Sequence, residues 1–303
     1  MRGFFVRSYL LVFFLIALAF SSCKPVEKAK LQDLSRSQNS SQIMNGSLVT
    51  SENAPFNSVV GLYDSEFQFT CTGTLIASST ILTAAHCIEN QGKGLYVVFS
   101  RHLIDTVKNS KDLKDNAYIR KVTDAMAHPD YKSEHAPDDE FGWSDLAVAH
   151  FEGELPANYA VIKMDKDQPK VKEMVLLSGF GVSDVKIQGF NGLHVPNVDA
   201  LLESGEAVCM DDSKITCAFV NMSGDGPLRS TYAPVASLEG FEFVNDETKS
   251  GTCSGDSGGP AFRKTDSGYV LSGVTSRGSM ACNQDGVYTI VSKYKKWISS
   301  KLK

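Results

Sequence analysis

The chain has 303 residues, 42% of them hydrophobic, and a net charge of −5. That is enough for one large domain or two small ones. Charges of both signs are interspersed, which argues against a nucleic-acid surface. No internal repeat and no long low-complexity tract is present.

The first segment reads as a targeting signal. Arg2 and Arg7 precede an apolar run from Tyr9 to Phe20, and Ser21-Ser22-Cys23 follows. A basic start, a short apolar core and small residues at its end predict a secretory signal over residues 1–23. A membrane span is the competing reading, but it needs about 20 apolar residues, more than this run offers. The small-small-Cys ending is similar to a bacterial lipobox, with Phe20 where Leu is usual. Cys23 is therefore a candidate lipidation site, with a possible lipid anchor at a bacterial cell envelope. Ordinary signal cleavage and an extracellular product is the alternative. Residues 24–42 are polar and Ser/Gln-rich, as in a linker or propeptide.

From Ile43 onward short apolar runs dominate. Ser58–Tyr63, Tyr96–Phe99 and Met174–Leu177 are set among Gly, Ser, Asn and Asp. Many such strands at this spacing predict an all-β barrel or sandwich. Strands do not alternate with long helices, so a doubly wound sheet is disfavoured. One helix is expected at the end, where Tyr294, Trp297 and Ile298 recur at helical spacing among lysines.

The seven cysteines are 23, 71, 87, 209, 217, 253 and 282. An odd cysteine in an exported chain needs a separate fate. Lipid on Cys23 would leave six for an oxidising compartment to pair. No CxxC pair exists and the histidines lack zinc spacing, so no metal and no cofactor is expected.

Acyl transfer by serine needs a nucleophile, a base, a carboxylate to orient the base, and donors for an oxyanion. Gly255-Asp256-Ser257-Gly258-Gly259-Pro260 can supply a serine on a tight turn, with the N–H groups of Gly255 and Ser257 converging. His86 lies in Leu82-Thr83-Ala84-Ala85-His86-Cys87, where small residues allow close packing. Asp145 opens the apolar run Leu146-Ala147-Val148, and a carboxylate buried there would need a partner such as His86. Gly255-x-Ser257-x-Gly259 also fits the nucleophile elbow of α/β-hydrolases. That fold places its histidine after the serine, and here the last histidine is His194.

These three blocks, in the order His, Asp, Ser, resemble the signature blocks of the chymotrypsin-like serine peptidases. Ile43-Met44-Asn45-Gly46, Cys71-Thr72-Gly73-Thr74-Leu75-Ile76, His128-Pro129-Asp130-Tyr131, Gly179-Phe180-Gly181 and Gly286-Val287-Tyr288 extend the resemblance from Ile43 to Lys303. It implies a domain over 43–303 built as two six-stranded antiparallel barrels, with the active site between them and a C-terminal helix. It implies a serine endopeptidase acting on protein or peptide substrates. His86, Asp145 and Ser257 would be its triad, with Gly255 and Ser257 as its oxyanion hole. Bridges are expected at Cys71–Cys87, Cys209–Cys217 and Cys253–Cys282. A protease-fold binding protein without chemistry, or a locked zymogen, is the alternative.

The resemblance has departures. Residues 182–227 read as an enlarged surface loop after Gly179-Phe180-Gly181. The other alignment takes Ile215-Thr216-Cys217-Ala218 as a later family strand and moves the insertion to just before Gly251. The substrate pocket maps to Gly251, Thr252, Ser276, Gly278 and Gly286. Gly251 stands where trypsin-like members carry Asp, so the expectation is an open, uncharged slot for a large apolar side chain. Ser276 and Gly278 would offer backbone groups to a substrate strand, with Arg277 in place of the usual Trp between them. Activation would use a new amine on Ile43 paired with Asp256. Gln42 precedes Ile43, so an activating protease without trypsin-like preference is expected.

Overall fold

The computed structural model describes residues 43–302, apart from Glu89, residues 133–139 and Asp211. The expected signal, Cys23 and the linker up to Gln42 lie outside the described residues.

The first barrel is a closed ring of six strands. After the short β1 (Ser47–Leu48) come β2 (Val59–Asp64), β3 (Thr70–Ala77), β4 (Thr80–Thr83), β5 (Leu95–Val98), β6 (Ile119–Ala127) and β7 (Ala147–Phe151). The ring order is β2-β3-β4-β7-β6-β5, and β5 closes on β2. Leu62, Leu75, Ile81, Val97 and Val148 are fully buried in its core cluster.

The second barrel begins at β8 (Met174–Gly179). An insertion then forms β9 (Asp184–Phe190), β10 (Ala207–Cys209) and β11 (Cys217–Ser223). The barrel resumes with β12 (Arg229–Glu239), β13 (Glu242–Asp246), β14 (Pro260–Thr265), β15 (Gly268–Gly278) and β16 (Asp285–Ile290). The ring β12-β13-β16-β15-β14-β8 is closed by antiparallel pairing of β12 with β8. Its interior follows the period of two that a strand imposes. Val175 and Leu177, Ala233 and Val235, and Tyr288 and Ile290 all point to one buried cluster, joined by Phe243 and Ala261. Burial of each Val, Leu, Ile or Phe among them contributes about 1.5–3 kcal/mol.

The insertion lies between β8 and β12, the first of the two placements considered. It is not the plain loop expected. Order β10-β11-β9 makes a separate three-stranded sheet, with Phe190 stacked on Phe219 at 4.1 Å and a short helix at Val198–Glu203. The alternation Val185, Ile187, Gly189 against polar neighbours is a strand pattern that the polar composition of the segment conceals.

The C-terminal helix, Val291–Ser300, buries Val291, Tyr294 and Ile298. Tyr294 and Trp297 meet the His128 ring edge-on, at 4.9 and 4.8 Å. The helix therefore reaches the end of β6 in the first barrel, while Tyr294 also meets Phe241 beside the second, at 5.5 Å.

Among the described residues three disulfides are formed, Cys71–Cys87, Cys209–Cys217 and Cys253–Cys282, closing 16, 8 and 29 residues. Chain-entropy arithmetic gives them about 3, 2.5 and 3.6 kcal/mol in that order. Replacing both cysteines of each pair by Ser should lower unfolding free energy in the same order in urea titrations. Equal or negligible losses would contradict that ranking.

Candidate active site

His86 is held in a single 3-10 turn, Ala85–Cys87, just after β4. The turn is anchored by the Cys87 bridge to β3 and by Thr83 Oγ1 donating to the Thr72 carbonyl at 2.9 Å. Buried Ala84 and Ala85 let the turn lie flat against the barrel.

Asp145 enters just before β7, the strand paired with β4 in the first barrel, and is 1% exposed. His86 Nδ1 lies 2.8 Å from its Oδ2, and the His86 backbone N–H donates to its Oδ1 at 3.1 Å. Ser276 Oγ also donates to Oδ2, at 2.7 Å. Burial alone would raise the Asp145 pKa. The hydrogen bonds from His86 and Ser276 outweigh it and hold the carboxyl below its ordinary range. The preceding Ser144 takes a left-handed φ of 52°, and its hydroxyl shares a 2.9 Å hydrogen bond with Tyr294. The C-terminal helix thus helps fix the approach to Asp145.

Ser257 comes from the second barrel, in the turn before β14. Thr72 ties this turn to the first barrel. Its N–H donates to the Ser257 carbonyl at 2.8 Å and its hydroxyl to the Gly255 carbonyl at 2.9 Å. A Cβ at Gly258 would collide with Thr83 Oγ1 and the Thr72 carbonyl. Only glycine permits this approach. His86, Ser257 and Gly255 then border one cleft of about 510 Å³, together with Phe67, Phe69 and Ser254.

Asp256 is fully buried and accepts from Gly181 N–H at 2.8 Å and Cys253 N–H at 2.9 Å. Burial pushes its pKa up to about 7, and the Arg229 charge works against that. Arg229 is a cation the sequence did not suggest for this group; it is 5% exposed and directly opposite Gly179 across β12 and β8. Ile43 is fully buried. Met44 packs against Val182, Cys253 and Cys282, and its carbonyl accepts from Gly251 N–H at 3.1 Å. The start of the described chain therefore lies beside the Ser257 loop.

The expected substrate residues are only partly as anticipated. Ser276 falls at a register slip between β15 and β16, and Gly278 pairs with Gly286 at the end of that ladder. Arg277, in place of the usual Trp, is held by both oxygens of buried Glu242 at 2.9 and 3.0 Å. Its guanidinium lies over the Trp143 ring at 3.9 Å. At the slot expected between Gly251 and Gly286, the Glu247 side chain lies against both glycines. Glu242, Glu247 and Trp143 had no place in the sequence reading. An acid on each side of the Phe243–Asp246 run, shortly before Gly251, was the available signal.

Two closed six-stranded barrels meeting along such a seam define the class of two-barrel peptidases, and sequence relatives narrow it. The Trypsin family profile matches residues 43–298. Kallikrein 1-related peptidase b27 of Mus musculus is 28% identical over 244 residues, covering 76% of this chain and 80% of its own. CLIP domain-containing serine protease B15 of Anopheles gambiae is 26% identical, covering 76% of this chain and 60% of its own. The solved structure of neuropsin, a serine protease expressed in the limbic system of mouse brain, has the same fold. Its TM-score is 0.58 at 19% identity, covering 85% of this chain and 99% of that one. The chain belongs to the trypsin family, and it is a serine endopeptidase. These relatives are animal proteins and lend no support to a bacterial origin.

Proposed function

We propose that this endopeptidase cleaves protein or peptide substrates through Ser257, His86 and Asp145. Ser257 Oγ would attack the scissile carbonyl while His86 takes its proton. The N–H groups of Gly255 and Ser257 would receive the oxyanion. His86 would return the proton to the leaving amine, and water would then hydrolyse the acyl-enzyme by the reverse proton path. The observation that carries this reading is the His86–Asp145–Ser276 network, which points an oriented imidazole into the cleft that Ser257 borders. An apolar preference required open space between Gly251 and Gly286. The Glu247 carboxyl borders that space, so the proposal extends to peptide-bond hydrolysis and not to an apolar side chain. A chromogenic ester should give a burst of about one alcohol per chain before steady turnover. Absence of both burst and turnover would favour the non-catalytic binding alternative.

Maturation by another protease, between Gln42 and Ile43, belongs to the same proposal. Support comes from the burial of Ile43 and the Met44–Gly251 hydrogen bond beside the Ser257 loop. A new amine on Ile43 would then reach toward Asp256, adding to what Arg229 supplies. The three bridges fit export into an oxidising compartment. With lipid on Cys23, the same cut would release the catalytic domain. N-terminal sequencing of active protein should begin at Ile43. Full activity in a form beginning at Cys23 would refute this route.

A further inference from the structure

Gly251 and Gly286 face one carboxyl group. A Cβ at Gly251 would collide with Glu247 Oε2, and a Cβ at Gly286 with Glu247 Oε1. Glu247 immediately follows β13, is 3% exposed, and turns its side chain inward between these two segments. Oε2 accepts from the Thr252 N–H at 2.7 Å and the Thr252 hydroxyl at 3.1 Å. The Tyr288 hydroxyl donates to Oε1 and also lies 3.1 Å from the Thr252 hydroxyl. Thr252 and Gly286 are the residues that the family resemblance maps to the pocket for the side chain preceding the scissile bond.

Every one of these donors is neutral. A buried carboxylate held only by neutral groups is costly to ionise. Burial accordingly pushes Glu247 up to about 7, and the negative charge of Asp256 adds to the shift. A cation entering the pocket would meet an acid already oriented by three hydrogen bonds, so little reorganisation remains. Lys and Arg side chains are long and unbranched and carry their charge at the tip, as a buried acid behind a glycine-lined rim requires. An apolar side chain would leave the acid unpaired and gain nothing from it.

We infer that Glu247 is the specificity-determining residue of this pocket and selects Lys or Arg on the acyl side of the cleaved bond. The inference rests on the endopeptidase reading with Ser257 as nucleophile. The acid comes from the strand end before Gly251, not from position 251 itself.

The test compares kcat/KM for peptide amides that differ only in Arg, Lys or Phe before the cut bond, from about pH 5.5 to about pH 9. Comparing substrates cancels whatever pH dependence all of them share. Besides Asp256, the titratable group facing Glu247 is Tyr288, whose pKa burial holds well above 10, so it stays protonated across this range. The Arg-to-Phe ratio should be about 100 or more at high pH. It should fall as pH drops through about 7, where Glu247 takes up its proton. Glu247→Gln should lower the ratio about 100-fold and flatten its pH dependence. If that variant fails to fold, the wild-type ratio and its pH profile decide alone. A Phe preference that is flat in pH overturns the assignment while leaving the Ser257 chemistry standing. Ser257 that reacts with a small phosphonylating reagent while no peptide is cut would show Glu247 to be a plug, which also overturns it. If Ser257 is unreactive and nothing is hydrolysed, the endopeptidase reading fails and the assignment fails with it.

Discussion

Ser257→Ala and His86→Ala should each lower turnover of peptide amides by about 10⁶. Both residues would act on one proton, so either loss removes the whole nucleophilic route. The double variant should therefore be scarcely worse than either single one. What survives would come from substrate binding and the Gly255 and Ser257 N–H groups. The fold should tolerate Ser257→Ala, because the bonds that anchor this turn use the Gly255 and Ser257 carbonyls and the Gly258 N–H. The check is kcat on a peptide amide with folding followed by circular dichroism. Near-normal turnover in folded Ser257→Ala would defeat the mechanism.

Asp145→Asn should cost about 10⁴ in turnover. Asp145 Oδ2 accepts from both the His86 ring and the Ser276 hydroxyl. An amide has a single oxygen, so keeping the His86 backbone N–H bond at the Oδ1 position puts an NH₂ at the Oδ2 position. That NH₂ would face the ring and favour the wrong tautomer. The charge also bears on stability. Because the folded pKa of Asp145 is lowered, its contribution is present above the ordinary carboxylate range and is lost as pH falls through the lowered value. Asp145→Asn should remove that part of the acid sensitivity in pH-dependent unfolding. An unchanged rate in Asp145→Asn would mean that the orientation of His86 is set by its turn alone.

The parts legible in the sequence were those that local chemistry dictates. The small residues before His86, the acid at the head of an apolar run and the glycines around Ser257 each need their neighbours for a local physical reason. The strand runs and the terminal helix follow from periodicity. Non-local side-chain reach was not legible. Glu247 matters because its side chain spans from the end of β13 to Gly251 and Gly286, a path set by barrel register and not by spacing. The Arg229 charge acts on Asp256 because β12 pairs with β8 directly behind the Ser257 loop. Arg277 shed the expected Trp role because Glu242 and Trp143, from two other parts of the chain, converge on it. The insertion misled for a similar reason. Its strands are half exposed and pair mainly with one another, so their hydrophobic signal is weak.

The most direct measurement is the site of reaction with a serine-phosphonylating reagent. Active, matured protein is treated with excess reagent, assayed for remaining peptide hydrolysis, then digested and mapped by mass spectrometry. One adduct per chain, on Ser257 and absent after prior denaturation, is the result expected of a serine activated by His86 and Asp145. Full hydrolytic activity with Ser257 unmodified under these conditions would contradict the account.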